Sequence, residues 1–291
     1  MEIVKVIIET IKYIFLGLIQ GLTEVIPVSS SGHVKMAQQL LNITIDEGLL
    51  FLILVNTGSL IAFLYHFRTL IIRIVGNFFK YIFVKDTREF SKEDFEYLMK
   101  IVVASIPAAV IGFLFSDVFD QIYLEYGLVL VGTGLLITAT VLYVARDYSS
   151  INGRQTVSMK DAITIGFFQM FALIPGLSRN GVTTSTGLFR KMSMETSLVF
   201  SLLLSIPLSI GSLLNYILKI FIQGEASDLG FDVTNIAQYI FYFFAFIASI
   251  LATLIALKYI FIFFRRGKLV YFSLYLFAVG LIALFYGLIN L

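Results

Sequence analysis

Residues 161–192 read DAITIGFFQMFALIPGLSRNGVTTSTGLFRKM: apolar up to the Pro175-Gly176 break, rich in hydroxyls beyond it, and closed by Arg190 and Lys191. The flanks of this stretch decide how the chain is laid out. Before it, residues 146–160 carry Arg146, Arg154 and Lys160. After it, an apolar run over 196–222 leads to residues 223–235, which hold Glu225, Asp228 and Asp232 and no lysine or arginine. Cytoplasmic loops of membrane proteins are enriched in Lys and Arg. The basic stretch is therefore expected inside and the acidic one outside, so 196–222 must run outward. A segment that begins inside and ends inside has to enter the membrane and return. Residues 161–175 and 176–190 are thus predicted as two half-helices of a re-entrant hairpin over 161–192.

Composition supports a membrane setting. Of 291 residues, 58% are hydrophobic and 14% charged, against about 45–50% and about 25% in soluble domains. That leaves too little polar surface to cover a soluble fold, and excludes an ordinary soluble enzyme or a disordered chain. With 21 basic and 19 acidic residues the net charge is +2, which excludes a nucleic-acid binder of the usual basic kind. The absence of cysteine excludes disulfides, thiolate metal sites and cysteine nucleophiles. The first apolar stretch lacks the features of a cleavable signal peptide and is read as part of the mature protein.

Apolar runs lie at roughly 3–19, 48–66, 99–115, 127–145, 161–175, 196–222, 236–264 and 269–291. They are too long and continuous for the alternating strands of a barrel, so helices are expected. A span needs about 20 residues to cross a core of about 30 Å. Residues 67–100, with Arg68, Arg73, Lys80, Lys85, Arg88, Lys92 and Lys100, form a second inside loop, and Arg265, Arg266 and Lys268 an inside turn. Residues 116–125, with Asp117, Asp120 and Glu125, form an outside loop. Residues 48–66 must then run inward, and 3–41 become a second hairpin, entered from outside, with half-helices at 3–20 and 30–41 broken around Pro27. Lys5, Lys12 and Lys35 run against this placement and are outvoted by the larger loops.

The two hairpins match in sequence. Residues 17–33 read GLIQGLTEVIPVSSSGH, and Gly17/Gly166, Gln20/Gln169, Ser29/Ser178 and Gly32/Gly181 share one offset of 149 residues. The fold expected is an all-α polytopic membrane protein built as an inverted repeat: residues 1–145 and 161–291, each a hairpin (3–41 and 161–192) followed by three spans, in one integrated membrane domain. In such plans broken helices meet near the midplane and build the polar site.

Backbone breaks at membrane depth are tolerated where they are buried in protein or line a wet cavity, and ionisable residues there are functional by default. The first break carries Glu24, Ser29, Ser30, Ser31 and His33, with Gln20 one turn before Glu24; the second carries Gly176, Ser178, Arg179, Thr183 and Thr184. The first supplies an acid, a group that titrates near neutrality and candidate serine nucleophiles. The second supplies a helix N-terminus, hydroxyls and a guanidinium fork, all suited to phosphate. Plainer roles exist for each. Glu24 can serve only to pair with Arg179, a serine can serve only as an N-cap, and His33 can be a satisfied structural histidine. His66, at a span end, reads as interfacial.

The stretch from Gln20 through Glu24, Pro27, Ser29, Ser30 and Gly32 to His33 resembles the first signature of the undecaprenyl-pyrophosphate phosphatases, also called bacitracin-resistance proteins. Pro175, Gly176, Ser178, Arg179, Gly181 and Thr183 resemble their second, and length and hydropathy fit over essentially the whole chain. The resemblance implies a plasma-membrane phosphatase that removes the terminal phosphate of a polyprenyl pyrophosphate at the outer face, recycling the lipid carrier for cell-envelope synthesis. It implies dependence on a divalent cation (Mg²⁺ or Ca²⁺) with Glu24 as ligand, and often a homodimer. It places Glu24, Ser30, His33 and Arg179 at the catalytic core, with Gln20, Ser29, Gly176, Ser178, Thr183 and Thr184 around the substrate. The favoured roles are Ser30 as nucleophile, His33 as its base or proton donor, Glu24 as metal ligand or orienter, and Arg179 as phosphate clamp; attack by His33 stays open. The sequence departs from the family at Gln20, where a glutamate is usual, at Asn180, where a serine is common, and at Leu52, where some members carry a carboxylate. The alternative is a polyprenyl-phosphate flippase or another inverted-repeat transporter, which needs no Ser30/His33 pair.

Overall fold

A computed structural model of the chain describes residues 2–43, 49–148, 153–223, 236–265 and 269–290. Glu225, Asp228, Asp232, Arg266 and Lys268, and the side chains of Asp117, Asp120 and Arg265, lie outside the described residues. The described residues are almost wholly helical, and an isolated bridge between Arg154 and Met192 is the one β-pairing among them.

The helices are α1 (Glu2–Val25), α2 (Ser30–Leu40), α3 (Leu49–His66), α4 (Arg68–Phe83), α5 (Arg88–Ala145), α6 (Met159–Gln169), α7 (Arg179–Phe189), α8 (Met194–Gln223), α9 (Ile236–Arg265) and α10 (Leu269–Ile289). Among the described residues, six helical stretches are long and apolar enough to cross a membrane: Val4–Val25, Lys85–Phe115, Glu125–Tyr148, Met194–Leu218, Ala237–Phe264 and Leu269–Ile289. Their outer faces are apolar. On α10 alone, Leu274, Phe277, Ile282 and Phe285 are each more than half exposed, as suits a lipid surround rather than water.

Three expectations need correction. Residues 67–100 are not a loop: α3 bends by 76° into α4, and α5 starts at Arg88. The cause is a helical pattern hidden under the basic residues. Ile74 and Asn77 are buried on one side of α4, Phe78 stacks on Phe95, and Asp94 accepts from Asn77 at 2.6 Å and pairs with Arg73 at 3.3 Å. Residues 116–125 are not a loop either. They are a helical segment of α5 between non-helical residues Phe115 and Gly127, the latter at φ 42° and ψ −115°, where glycine is at no disadvantage. Finally, α1 does not stop near residue 20. It runs unbroken for 24 residues, because nothing before Pro27 interrupts its apolar pattern.

Close backbone contacts lock the bundle. A Cβ on Gly17 would meet the Ala245 carbonyl of α9, and one on Gly166 would meet the Ala104 carbonyl of α5 at 2.5 Å. Helices in lipid gain from such close approach through van der Waals packing. The helices α6 and α7 have 11 residues each, about 16 Å of rise, half a bilayer core. A capping box of Ser158 and Asp161 opens α6. Their outer ends are tied together: the Arg154 N–H donates to the Lys191 carbonyl at 2.9 Å, and the Ser193 N–H to the Arg154 carbonyl at 2.8 Å. Asp161, whose side chain is fully buried, pairs with Arg154 at 2.6 Å and Arg190 at 3.0 Å. Burial opposes its ionisation, but Arg154, Ser158 and Arg190 outweigh that and hold its carboxyl well below the usual carboxylate range.

Candidate functional site

The last turn of α1 and the break after it deliver an acid. Gln20 and Glu24 are four residues apart and share a helix face. Gln20 Nε2 donates to Glu24 Oε2 at 3.0 Å and to Asn56 Oδ1 of α3 at 2.8 Å. After Pro27 the chain re-enters helix at Ser30, whose hydroxyl donates to Glu24 Oε2 at 2.6 Å. Arg179, the first residue of α7, pairs with Glu24 Oε1. Asn180 Nδ2 donates to the Glu24 main-chain carbonyl at 2.6 Å. The two breaks are therefore joined through one carboxylate, which carries a hydroxyl on one oxygen and a guanidinium on the other.

These groups open onto a cavity of about 740 Å³, within the usual range for ligand sites. Glu24, Ser29, Ser30, Ser178, Arg179 and Asn180 line its polar part; Leu52, Ala108, Phe113, Leu173 and Leu208 belong to its apolar wall. Arg179 keeps 22% of its side chain exposed, while its Nε is buried without a hydrogen-bond partner. The exposed part of the guanidinium, on the cavity wall, suits an incoming anion.

The other expected residues divide into supports and outliers. Ser178 lines the cavity, but its hydroxyl accepts from the Gly181 N–H at 3.1 Å, capping α7. Thr183 donates to the Arg179 carbonyl at 2.8 Å and contacts Ser201 at 2.5 Å, and is not on the cavity wall. Thr184 is buried off the wall, its hydroxyl unpartnered. Gly176 is also off the wall. It holds φ 87°, and a Cβ there would strike the Val131 carbonyl, so it permits close packing of the break on α5. His33 is not brought to Ser30. Its Nδ1 lies 2.9 Å from the Ser29 carbonyl oxygen, its Nε2 2.8 Å from the Tyr275 hydroxyl, and it does not line the cavity. The hydrogen-bond partner of Ser30 is Glu24.

Several participants were missed from sequence. Asn56 is a lone amide inside an apolar run, a signal that intramembrane polarity alone could have flagged. Asn180 was noted only as a departure. Thr138, which accepts from the Ser178 N–H at 2.9 Å, and Tyr275 carry no local signal, since aromatics and threonines are common in spans.

As to a metal, no group of three His, Asp or Glu side chains is gathered among the described residues, and among those residues Glu24 is the one carboxylate on the cavity wall. This donor set does not make a protein cage. It fits a cation of the Mg²⁺ type, which keeps several waters and takes one or two protein carboxylates.

With this geometry in place, comparison with known proteins is decisive. Residues 13–282 match the family model described as "Bacitracin resistance protein BacA". The chain is 44% identical over 276 residues to a protein of Bacillus thuringiensis named undecaprenyl-diphosphatase 2, covering 95% of this chain and 97% of that one. It is 40% identical over 277 residues to undecaprenyl-diphosphatase 1 of Bacillus licheniformis, covering 95% and 98%. It is 37% identical over 276 residues to the undecaprenyl-diphosphatase of Oceanobacillus iheyensis, covering 95% and 96%.

Proposed function

The chain belongs to the bacitracin resistance protein family, and from that premise we propose that it is a membrane phosphatase that hydrolyses undecaprenyl pyrophosphate to the monophosphate and inorganic phosphate. One observation carries the chemistry: the Ser30 hydroxyl donates to Glu24 Oε2 at 2.6 Å beside Arg179, on the wall of a cavity that is polar at one side and apolar at the other. That wall suits an anionic head attached to a hydrocarbon tail.

In the proposed reaction the terminal phosphate lies against Arg179, whose exposed guanidinium neutralises charge on the transferring group. Drawing the guanidinium onto phosphate frees Glu24 to act as base. Ser30 Oγ attacks the terminal phosphorus, its proton passes to Glu24, and the anhydride P–O bond breaks to release the lipid monophosphate. Glu24 hands that proton to the departing lipid monophosphate and, a carboxylate again, takes one from the water that attacks the phosphoserine; the proton returns to Ser30 Oγ as inorganic phosphate leaves. Glu24 thus takes the place that the sequence reading offered to His33. A divalent cation carried by the pyrophosphate and touching Glu24 would add charge neutralisation at the phosphates.

The architecture proposed is the inverted repeat with two re-entrant hairpins. Supports are the joined outer ends of α6 and α7, the half-bilayer length of both, and the like contacts of Gly17 and Gly166 on main-chain carbonyls. The proposed location is the plasma membrane with the cavity opening to the extracytoplasmic side, supported by the alternating sign of the charged stretches along the sequence. A homodimer is proposed from the resemblance, to be read by mass photometry in detergent. The decisive assay is phosphate release by the purified chain from undecaprenyl pyrophosphate with Mg²⁺ or Ca²⁺. No release, or full activity in both Glu24→Ala and Arg179→Ala, overturns the reading.

A further inference from the structure

Ser29 stands between Pro27 and the first residue of α2 with φ 69° and ψ 96°, a conformation that its Cβ makes unfavourable. It directs the chain into Ser30, so whatever holds it also aims the proposed nucleophile. Two groups converge on its carbonyl: the His33 backbone N–H at 3.2 Å and the His33 ring Nδ1 at 2.9 Å. A carbonyl only accepts, so the ring proton sits on Nδ1. In the neutral ring Nε2 is then an acceptor, and the Tyr275 hydroxyl of α10 lies 2.8 Å from it. The two rings also stack, with centroids 5.6 Å apart. If the proton moved to Nε2, the Nδ1 lone pair would face the Ser29 carbonyl and repel it.

We infer that Tyr275 and His33 are positioning residues. The Tyr275 hydroxyl keeps the His33 proton on Nδ1, and Nδ1–H holds Ser29 in its left-handed conformation, so that Ser30 Oγ stays on Glu24. This rests on the phosphatase reading above for its kinetic consequence, but not for its geometry.

The test combines three variants with one spectroscopic signature. Tyr275→Phe removes only the hydroxyl and should lower kcat about 5- to 10-fold, the worth of one hydrogen bond, with KM unchanged. His33→Ala should lower kcat about 100-fold through misplacement of the nucleophile. His33→Asn keeps an N–H donor at the place of Nδ1 and should stay at least about tenfold above His33→Ala. Wild-type kcat in Tyr275→Phe overturns the inference. So does His33→Asn as slow as His33→Ala with a melting temperature equal to the wild type, because the imidazole itself would then be required. The chain has 2 histidines, so ¹⁵N-histidine labelling, assigned with His66→Gln, reads the tautomer directly. Nδ1 protonated in the wild type supports the inference, and the Nε2-protonated ring overturns it. If the wild type releases no phosphate while Nδ1 carries the proton, the phosphatase reading fails and the positioning geometry stands.

Discussion

Replacing Glu24 by glutamine keeps the shape of the side chain and removes its charge and basicity. Three contacts are affected at once: the pairing with Arg179, the acceptance from Ser30 at 2.6 Å and the acceptance from Gln20 at 3.0 Å. An amide oxygen in the place of Oε2 can still accept from both Ser30 and Gln20, so the fold should survive. Breaking one partner of a buried pair costs about 3–5 kcal/mol. Arg179 is 22% exposed on an open cavity, and solvent screening brings the expected cost to about 1–2 kcal/mol. The chemical cost is larger. A positioned general base contributes about 10²- to 10⁴-fold, so kcat for phosphate release should fall by that factor, about 3–5 kcal/mol in barrier. KM should not rise, because the variant removes a negative charge from beside the pyrophosphate and frees Arg179 to meet it. The assay is steady-state phosphate release from undecaprenyl pyrophosphate in detergent, on protein shown by thermal unfolding to be folded. A kcat within about threefold of wild type, or a tenfold higher KM at unchanged kcat, refutes the assignment of Glu24 as base, since the first is below any general-base effect and the second is uniform binding.

Arg179→Lys keeps the charge but loses the planar fork; kcat/KM should fall about 10- to 100-fold, measured by the same phosphate release. Gly176→Ala places a Cβ on the Val131 carbonyl at φ 87° and should cost about 2–3 kcal/mol of stability, seen as a lower melting temperature in detergent. Asp161 has a depressed carboxyl, so its contribution is fully present above the unfolded value of about 3.9 and is lost as pH falls through the folded value. The melting temperature of the wild type should drop below about pH 4, and Asp161→Asn, already destabilised at neutral pH, should show a smaller drop. Gly112, on the apolar part of the wall and 3.6 Å from Leu173 by its would-be Cβ, should tolerate Gly112→Leu as a fold. That variant should raise KM for undecaprenyl pyrophosphate more than for farnesyl pyrophosphate, because the added bulk narrows the place of the tail.

The sequence was most legible where a local rule suffices. Apolar runs became helices at nearly the stated positions. Pro27 and Pro175-Gly176 mark the breaks, because proline sterics act over a few residues. It was least legible where charge and helix coincide. The lysines and arginines of 67–100 suggested a loop, yet α4 buries Ile74 and Asn77 and turns its cations outward. A 76° bend at a helix joint leaves no mark in hydropathy.

By itself, then, the sequence determined the membrane setting, the two broken helices and the presence of Glu24, Ser30 and Arg179 at those breaks. Few polar residues can be afforded in lipid, and their places stand out against an apolar background. Only the tertiary structure decided which of them meet. Glu24 and Arg179 are 155 positions apart and His33 and Tyr275 are 242 apart, and no periodicity connects such distant residues. His33, three residues from Ser30, turns to the Ser29 carbonyl and to α10, while Glu24, six residues before Ser30, takes its hydroxyl. The physical reason is the break itself: a left-handed Ser29 redirects the chain, so that the first residue of α2 meets the last turn of α1 across it, while His33, one turn along α2, meets α10.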